Sequence, residues 1–206
     1  MIERLAEIAD RPVSRETFEL LEIYAKLLIR ESHQQNLVSA ASIDNLWERH
    51  ILDSAQLVRF ERQSGAAWVD VGAGAGLPGL VIAALVDGPV TLVEPRKLRA
   101  DFLERATAEL GLADRVSVVA AKAERLSGHF DVITARAVAS LDRLLALARH
   151  LSTDKTVWVL PKGRNARSEL DEARRNWQCE AQIVPSRTDP ESEILLLRRV
   201  TAKGKR

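Results

Sequence analysis

The chain has 206 residues, 46% of them hydrophobic, and 30 Lys and Arg against 29 Asp and Glu give a net charge of +1. That allows one sizeable domain with a real core and excludes a general polycation, so any nucleic-acid surface must be a local patch. The single cysteine, Cys179, excludes an internal disulfide or a cysteine-cluster zinc site. No apolar run reaches membrane-span length, and charges interrupt the first ten residues, so a cytoplasmic protein without signal peptide or membrane contact is expected.

Two helices are predicted first. Ser14 is a candidate N-cap, followed by Phe18, Leu21, Tyr24, Ala25 and Leu28 at helical spacing. The polar run "SHQQN" reads as a break. Ser42 reads as a second cap, before a stripe of Ile43, Leu46, Trp47, Ile51, Leu57 and Val58, and "QSGA" at 63–66 ends the arm. Short apolar runs then alternate with helical stretches. The runs are Trp68–Val71, Val90–Glu94, Val116–Ala120, Phe130–Ala135 and Thr156–Pro161, and the helices fall near 79–87, 97–110, 140–151 and 165–177. Such alternation implies parallel strands with right-handed crossovers. "QCEAQIVP" and "SEILLLRRV", separated by the turn-rich "SRTDPE", read as a closing antiparallel hairpin. The expected organisation is a helical arm, 1–64, packed on an α/β body, 65–206. Its fold class is the Rossmann-like, seven-stranded class I S-adenosylmethionine-dependent methyltransferase fold.

The segment "VDVGAGAGLPGL" (69–80) carries the chemistry. Gly74, Gly76 and Gly79 satisfy G-x-G-x-x-G, and Glu94 follows Gly74 by 20 residues at a strand end, where an acid can hold ribose hydroxyls. A dinucleotide is one reading and S-adenosylmethionine another. Asp70 favours the second, because a carboxylate before the glycines repels a pyrophosphate and orients a cationic methionine group. The tight Gly72-x-Gly74-x-Gly76 spacing and the closing hairpin point the same way.

What is missing narrows the acceptor. The fourth strand, "FDVITARAVAS", ends in Arg136 with no Pro-Pro-aromatic loop for exocyclic amines. Carbon-5 methylation needs a cysteine nucleophile, and Cys179 sits alone in the predicted edge hairpin. Beyond Asp70 and Glu94 no acidic cluster suggests a metal. A nucleophile needing no deprotonation remains, such as guanine N7, for which catalysis is proximity and orientation.

These segments resemble the RsmG (GidB) family of bacterial 16S ribosomal RNA guanine-N7 methyltransferases along essentially the whole chain. "QNLVSA" is similar to its "YNLT" segment, "LWERHILDSAQL" to its "RHILDS" helix and the glycine stretch to its "DVGTGAGFPG" loop. "VEPRKLRADFL" resembles "ESRxKRxxFL", "DVITARAVASL" resembles "DxVxSRAVAxL", and "LPKG" its late "xKG". Val38 and Ala73 depart from the usual threonine and serine or threonine.

The resemblance implies S-adenosylmethionine as cofactor and 16S rRNA, free or in the 30S particle, as substrate of a monomeric enzyme. It implies that Asp70, Gly72, Gly74, Gly76 and Leu77 line the cofactor, Glu94 holds its ribose, and Ala123 and Glu124 of "AKAERL" meet the adenine. Arg136 would stand where cofactor and RNA meet, with Asn36 and Lys162 also at the reacting centre and no metal. The alternatives are a nicotinamide-dependent oxidoreductase and a non-catalytic adenosyl-binding assembly factor. His50 reads either as a hydrogen-bonded histidine docking the arm, with Asp53 and Ser54 beside it, or as part of an RNA-holding arm. Asn36 could be a local cap or a contact to the base, and Lys162 a solvated lysine or a phosphate contact. Basic patches are expected at Arg96-Lys97-Arg99, at Lys162-Arg164-Arg167 and at Lys203, Lys205 and Arg206.

Overall fold

The computed structural model describes residues 1–204, with Ala40 described through its backbone alone. Lys205 and Arg206 of the expected basic tail lie outside the described residues. The chain opens with α1 (Ile2–Ala9), which is too short to give a repeating stripe but buries Leu5, Ile8 and Ala9 on one side. Ser14 caps α2 (Arg15–Gln35), its Oγ accepting the Thr17 N–H at 3.1 Å.

The polar run "SHQQN" does end α2, but only at its last residue. Ser32 is buried and donates its hydroxyl to the Leu28 carbonyl at 2.7 Å, so the helix continues to Asn36, which ends it with φ 47°. Ser42 does not cap a second helix. Ser39 holds the cap position of α3 (Ala40–Ile43), and Ser42, inside it, donates to the Ser39 carbonyl at 2.8 Å. The expected second helix is a relay of short pieces: α3, a π-helical turn over Trp47–Leu52, α4 (Asp53–Ala55) and a 3-10 turn over Gln56–Phe60. Changes of helical pitch let Ile51, Leu52, Ala55, Leu57 and Val58 all turn inward, which one straight helix would not.

The body is a seven-stranded sheet in the order β3-β2-β1-β4-β5-β7-β6. Its strands are β1 (Trp68–Val71), β2 (Val90–Val93), β3 (Val116–Val119), β4 (Val132–Thr134), β5 (Val157–Lys162), β6 (Trp177–Pro185) and β7 (Glu193–Ala202). The first five are parallel; β7 runs antiparallel between β5 and β6. The strand runs read from the sequence are all present: β1 matches, β2, β3 and β4 are trimmed by one to three residues, and β5, β6 and β7 reach one or two residues beyond the expected run at one end. Helices α5 (Gly79–Leu85), α6 (Lys97–Glu109), α7 (Leu141–Ala148) and α8 (Ala166–Ala173) make the crossovers.

Alternation along the strands sorts the core into two layers. Trp68, Val90, Leu92, Val132 and Val157 pack with α5, α6 and buried residues of the N-terminal segment such as Tyr24, Leu28 and Ile51. Val69, Val71, Ile133, Trp158 and Leu160 pack with α7 and α8 on the other face. From β1 the chain winds outward to β2 and β3 and then returns to β4, so β1 and β4 flank the point where the winding reverses. In such sheets the crevice beyond the carboxyl ends at this point is where ligands bind.

Candidate active site

The glycine loop leaves β1 into that crevice, and its glycines answer different needs. A Cβ on Gly76 would stand 2.6 Å from Leu80 Cδ1 and 3.0 Å from the Tyr24 hydroxyl. Gly76 is bare because its φ is +89° and because Leu80 of α5, then Tyr24 of α2, press on the loop there, and Tyr24 donates to the Ala75 carbonyl at 2.8 Å. A Cβ on Gly72 would meet Val138 Cγ2 at 2.6 Å, so the loop after β4 lies against Gly72. Gly74 differs: φ is +54°, and the nearest atom to its Cβ position is Arg99 Nη1 at 3.5 Å. It is the least crowded glycine of the loop, with Arg99, the Gly72 carbonyl and Glu94 at ordinary contact distance from its Cβ position, 3.5–3.9 Å. Leu77 is buried in the core and lines neither the cleft nor the cavity described below.

Two buried carboxylates brace the loop. Asp70, 1% exposed, accepts the Gly79 N–H on Oδ2 at 2.8 Å, while Oδ1 is enclosed without a partner. Burial pushes its pKa up to about 7, with Glu94 adding to the rise and Gly79 and Arg136 opposing it. Glu94 accepts the Gly74 N–H on Oε2 at 3.0 Å and the Arg96 N–H on Oε1 at 2.9 Å. It thus tethers the loop to the end of β2, and each oxygen keeps a second lone pair. Beside it opens a cleft of ≈ 190 Å³, lined among others by Gly72, Val93, Pro95, Ala123, Glu124 and Val138. The sequence-derived residues Gly72, Ala123 and Glu124 meet there, with Glu94 at its neighbour Pro95.

Arg136 stands beyond β4, on the other side of the same loop. Its Nη1 is 3.3 Å from His50 Nδ1 and 3.5 Å from Asp53 Oδ2. Asp53 Oδ1 in turn accepts from Gln56 Nε2 at 2.8 Å and Thr188 Oγ1 at 3.0 Å. Fully buried Gln56 spends the rest of its amide on Ser186 and the Arg187 N–H, tying the β6–β7 connection to the arm. Burial, then the charges of Arg136 and Arg49, push the His50 pKa down to about 4. Burial also raises the Asp53 pKa, against the pull of Arg136, Thr188 and Gln56. A cavity of ≈ 330 Å³ is lined here by Arg136, Asp53, Ala139, Lys162, Glu169 and Glu193, among others.

Lys162 reaches this cavity but is not a solvated lysine. Its side chain is 11% exposed and paired with Glu169 at 2.8 Å. Glu169 also accepts the Leu141 N–H at 3.0 Å, so the pair anchors the start of α7. Asn36 is exposed at the left-handed end of α2 and does not line the cleft or the cavity just described. The basic patches are partly spent within the chain: Lys97 pairs with Asp101 and Arg164 with Glu191. Cys179 is half-buried on β6 against the second core layer. Tyr24, Gln56, Val138, Ser186 and Thr188 were not singled out from sequence as site-shaping. Each is an ordinary core or loop residue until folding sets it against the site.

Comparison with known proteins gives the lineage. The family described as rRNA small subunit methyltransferase G (GidB) matches residues 17–194. Ribosomal RNA small subunit methyltransferase G of Rhizorhabdus wittichii is 46% identical over 196 residues, covering 94% of this chain and 90% of that protein. The protein of the same description from Zymomonas mobilis is 42% identical over 200 residues, covering 93% and 90%. A solved structure described as a SAM dependent methyltransferase from Aquifex aeolicus shares the fold, with a TM-score of 0.58 at 13% identity over 75% of this chain and 92% of that one. The methyltransferase-type sheet, the braced glycine loop at its switch point and relatives this similar along nearly the full chain lead to one conclusion: the chain belongs to the rRNA small subunit methyltransferase G family.

Proposed function

We propose that this rRNA methyltransferase uses S-adenosylmethionine to methylate N7 of a guanine in 16S rRNA. The carrying observation is that one loop, 136–139, walls two cavities. Val138 lines the cleft beside Gly72, Ala123 and Glu124, while Arg136, Ala137 and Ala139 line the polar cavity. We assign the adenosyl group to the first and the base to the second, so that the methyl and N7 would come into direct contact at the edge of this loop.

The residues present fit the cofactor. Glu94 has free lone pairs for ribose hydroxyls, Gly74 offers bare backbone, and Ala123 and Glu124 edge an adenine-sized cleft. Asp70 Oδ1 is an enclosed acceptor without a partner, suited to a cationic methionine group directly or through water. S-adenosylmethionine would supply the methyl on a sulfonium. The dinucleotide alternative is weakened by the same carboxylate, because the Gly79 amide at the start of α5, which would cradle a pyrophosphate, is already taken by Asp70.

The chain's own part is orientation. Guanine N7 carries its lone pair in the ring plane and loses no proton on methylation, so no general base is required. Guanine O6 beside N7 is an acceptor, and Arg136 is a cationic donor on that cavity's wall. Lys162 and Glu169 form part of its wall, and Asn36 is left with a more distant contact to RNA. We assign the arm, 1–64, and the body, 65–206, to one working unit, acting as a monomer in the cytoplasm on 16S rRNA or the 30S particle. No helix among the described residues is long and apolar enough to cross a membrane.

The test is methyl transfer from labelled S-adenosylmethionine to 16S rRNA and to 30S particles, followed by nucleoside digestion. Label in 7-methylguanosine supports the reading. Label in another nucleoside refutes the N7 assignment, and no transfer to either substrate refutes the activity. Calorimetry with NAD, expected to show no binding, closes the oxidoreductase alternative.

A further inference from the structure

The arm does more than cover the sheet. We propose that His50 and Asp53 are positioning residues for methyl transfer, aiming the Arg136 guanidinium into the target-base cavity from the π-helical turn. This rests on the reading above that Arg136 orients the acceptor base.

The geometry starts from what arginine can do. A guanidinium only donates, so the 3.3 Å contact to His50 requires a lone pair on Nδ1. The ring is then neutral with its proton on Nε2, the form its depressed pKa favours. A neutral imidazole fixes the direction of the guanidinium without cancelling its charge. The second partner, Asp53, approaches at 3.5 Å and divides its other oxygen between Gln56 and Thr188. Arg136 is thus held from one side by the arm, and the arm is held in turn by the β6–β7 connection.

Local structure explains how both partners reach it. His50 and Asp53 are three residues apart, and both side chains reach the Arg136 guanidinium, at 3.3 and 3.5 Å. The Asp53 N–H bonds back to the His50 carbonyl at the close of the π-helical turn. π-turns distort a helix at a cost and are frequent where side chains are aimed at a site. Here the distortion sets both side chains toward the loop after β4, while Ile51 and Leu52 between them are fully buried. Arg136 is 21% exposed on its side chain, so it keeps donors free for a ligand at the cavity wall.

The test is steady-state methylation of 30S particles by Arg136→Ala, His50→Leu, His50→Asn and the double variant His50→Leu/Arg136→Ala, with S-adenosylmethionine affinity measured on each by calorimetry. His50→Leu should lower kcat by about tenfold while cofactor affinity stays at the wild-type value, because a misaimed donor misplaces the base. His50→Asn carries an amide oxygen close to where Nδ1 stood and should recover most of the loss. The double variant should be no slower than Arg136→Ala alone, since His50 acts through Arg136.

Wild-type kcat in His50→Leu beside an impaired Arg136→Ala overturns the inference and leaves the functional reading standing. So do losses that multiply in the double variant. Wild-type kcat in Arg136→Ala itself removes the functional reading of Arg136, and the inference with it. Should His50→Leu not fold, Asp53→Asn, close in shape, carries the same test: lowered kcat at unchanged cofactor affinity supports the inference, and unchanged kcat refutes it.

Discussion

With Asp70 placed beside the cationic methionine group as proposed, S-adenosylmethionine affinity should depend on pH. In the free protein burial raises its pKa to about 7, so the carboxyl is largely protonated at pH 6 and largely ionised at pH 8. A cation bound beside Oδ1 favours the ionised form, so binding pulls the pKa down and releases a proton. Linkage then requires affinity to rise with pH. For a pKa about 7 the ionised fraction climbs from roughly one-eleventh at pH 6 to roughly ten-elevenths at pH 8, so affinity should rise about tenfold, or about 1.4 kcal/mol. Asp70→Asn keeps an acceptor for the Gly79 N–H and removes the titration. Calorimetry of S-adenosylmethionine binding at pH 6, 7 and 8, in buffers of different ionisation enthalpy, measures affinity and proton release together. The amine of the ligand titrates alike against both proteins, so the difference between them isolates Asp70. Equal pH slopes for wild type and Asp70→Asn would show that the carboxyl does not face the cationic group. The same shift bears on folding. The folded pKa lies above the unfolded value, so the stabilisation is full below about pH 4 and is lost as pH rises through 7. Asp70→Asn should therefore raise Tm more at pH 8 than at pH 5.

The other predictions concern the loop and the cavity wall. Glu94→Ala should weaken S-adenosylmethionine binding by about 1–3 kcal/mol in calorimetry, because charge-assisted hydrogen bonds to ribose are lost along with the tether to Gly74; unchanged affinity would remove Glu94 from the site. Gly74→Val forces a β-branched residue to φ +54° beside Glu94 and Arg99, and should abolish cofactor binding in a protein that still unfolds cooperatively. Normal binding by that variant would make the glycine a turn residue only. Lys162→Ala leaves Glu169 half-buried without its cation and should lower Tm, with part of the loss recovered in Lys162→Ala/Glu169→Gln. Its effect on RNA affinity should be smaller than that of Arg136→Ala across a salt series, since the Lys162 charge is already paired; a larger effect would put phosphate rather than Glu169 on Lys162 during turnover.

Strand runs, crossovers and the closing hairpin were legible in the sequence because they follow from the alternation of apolar residues, a local property. The gathering of Asp70, the glycines and Glu94 about one loop was legible because spacing along a strand–turn–helix unit fixes where its side chains emerge, whereas Arg136 was named through the family resemblance. The changes of helical pitch in the arm were not legible. An apolar stripe records which residues turn inward, but not that a π-turn and a 3-10 turn are needed to turn Ile51 and Leu57 inward together. The purpose of each glycine was also hidden. Gly76 is pressed by Leu80 and Tyr24, Gly72 lies against Val138, and Gly74 alone of the three has only ordinary contacts, distinctions set by residues as far as 66 positions away. Lys162 and His50 show the same limit. Whether a lysine is solvated, or a histidine neutral and aimed, depends on which charges and carbonyls surround it. Sequence fixes those neighbours only through the fold, because electrostatics and close packing act across space rather than along the chain.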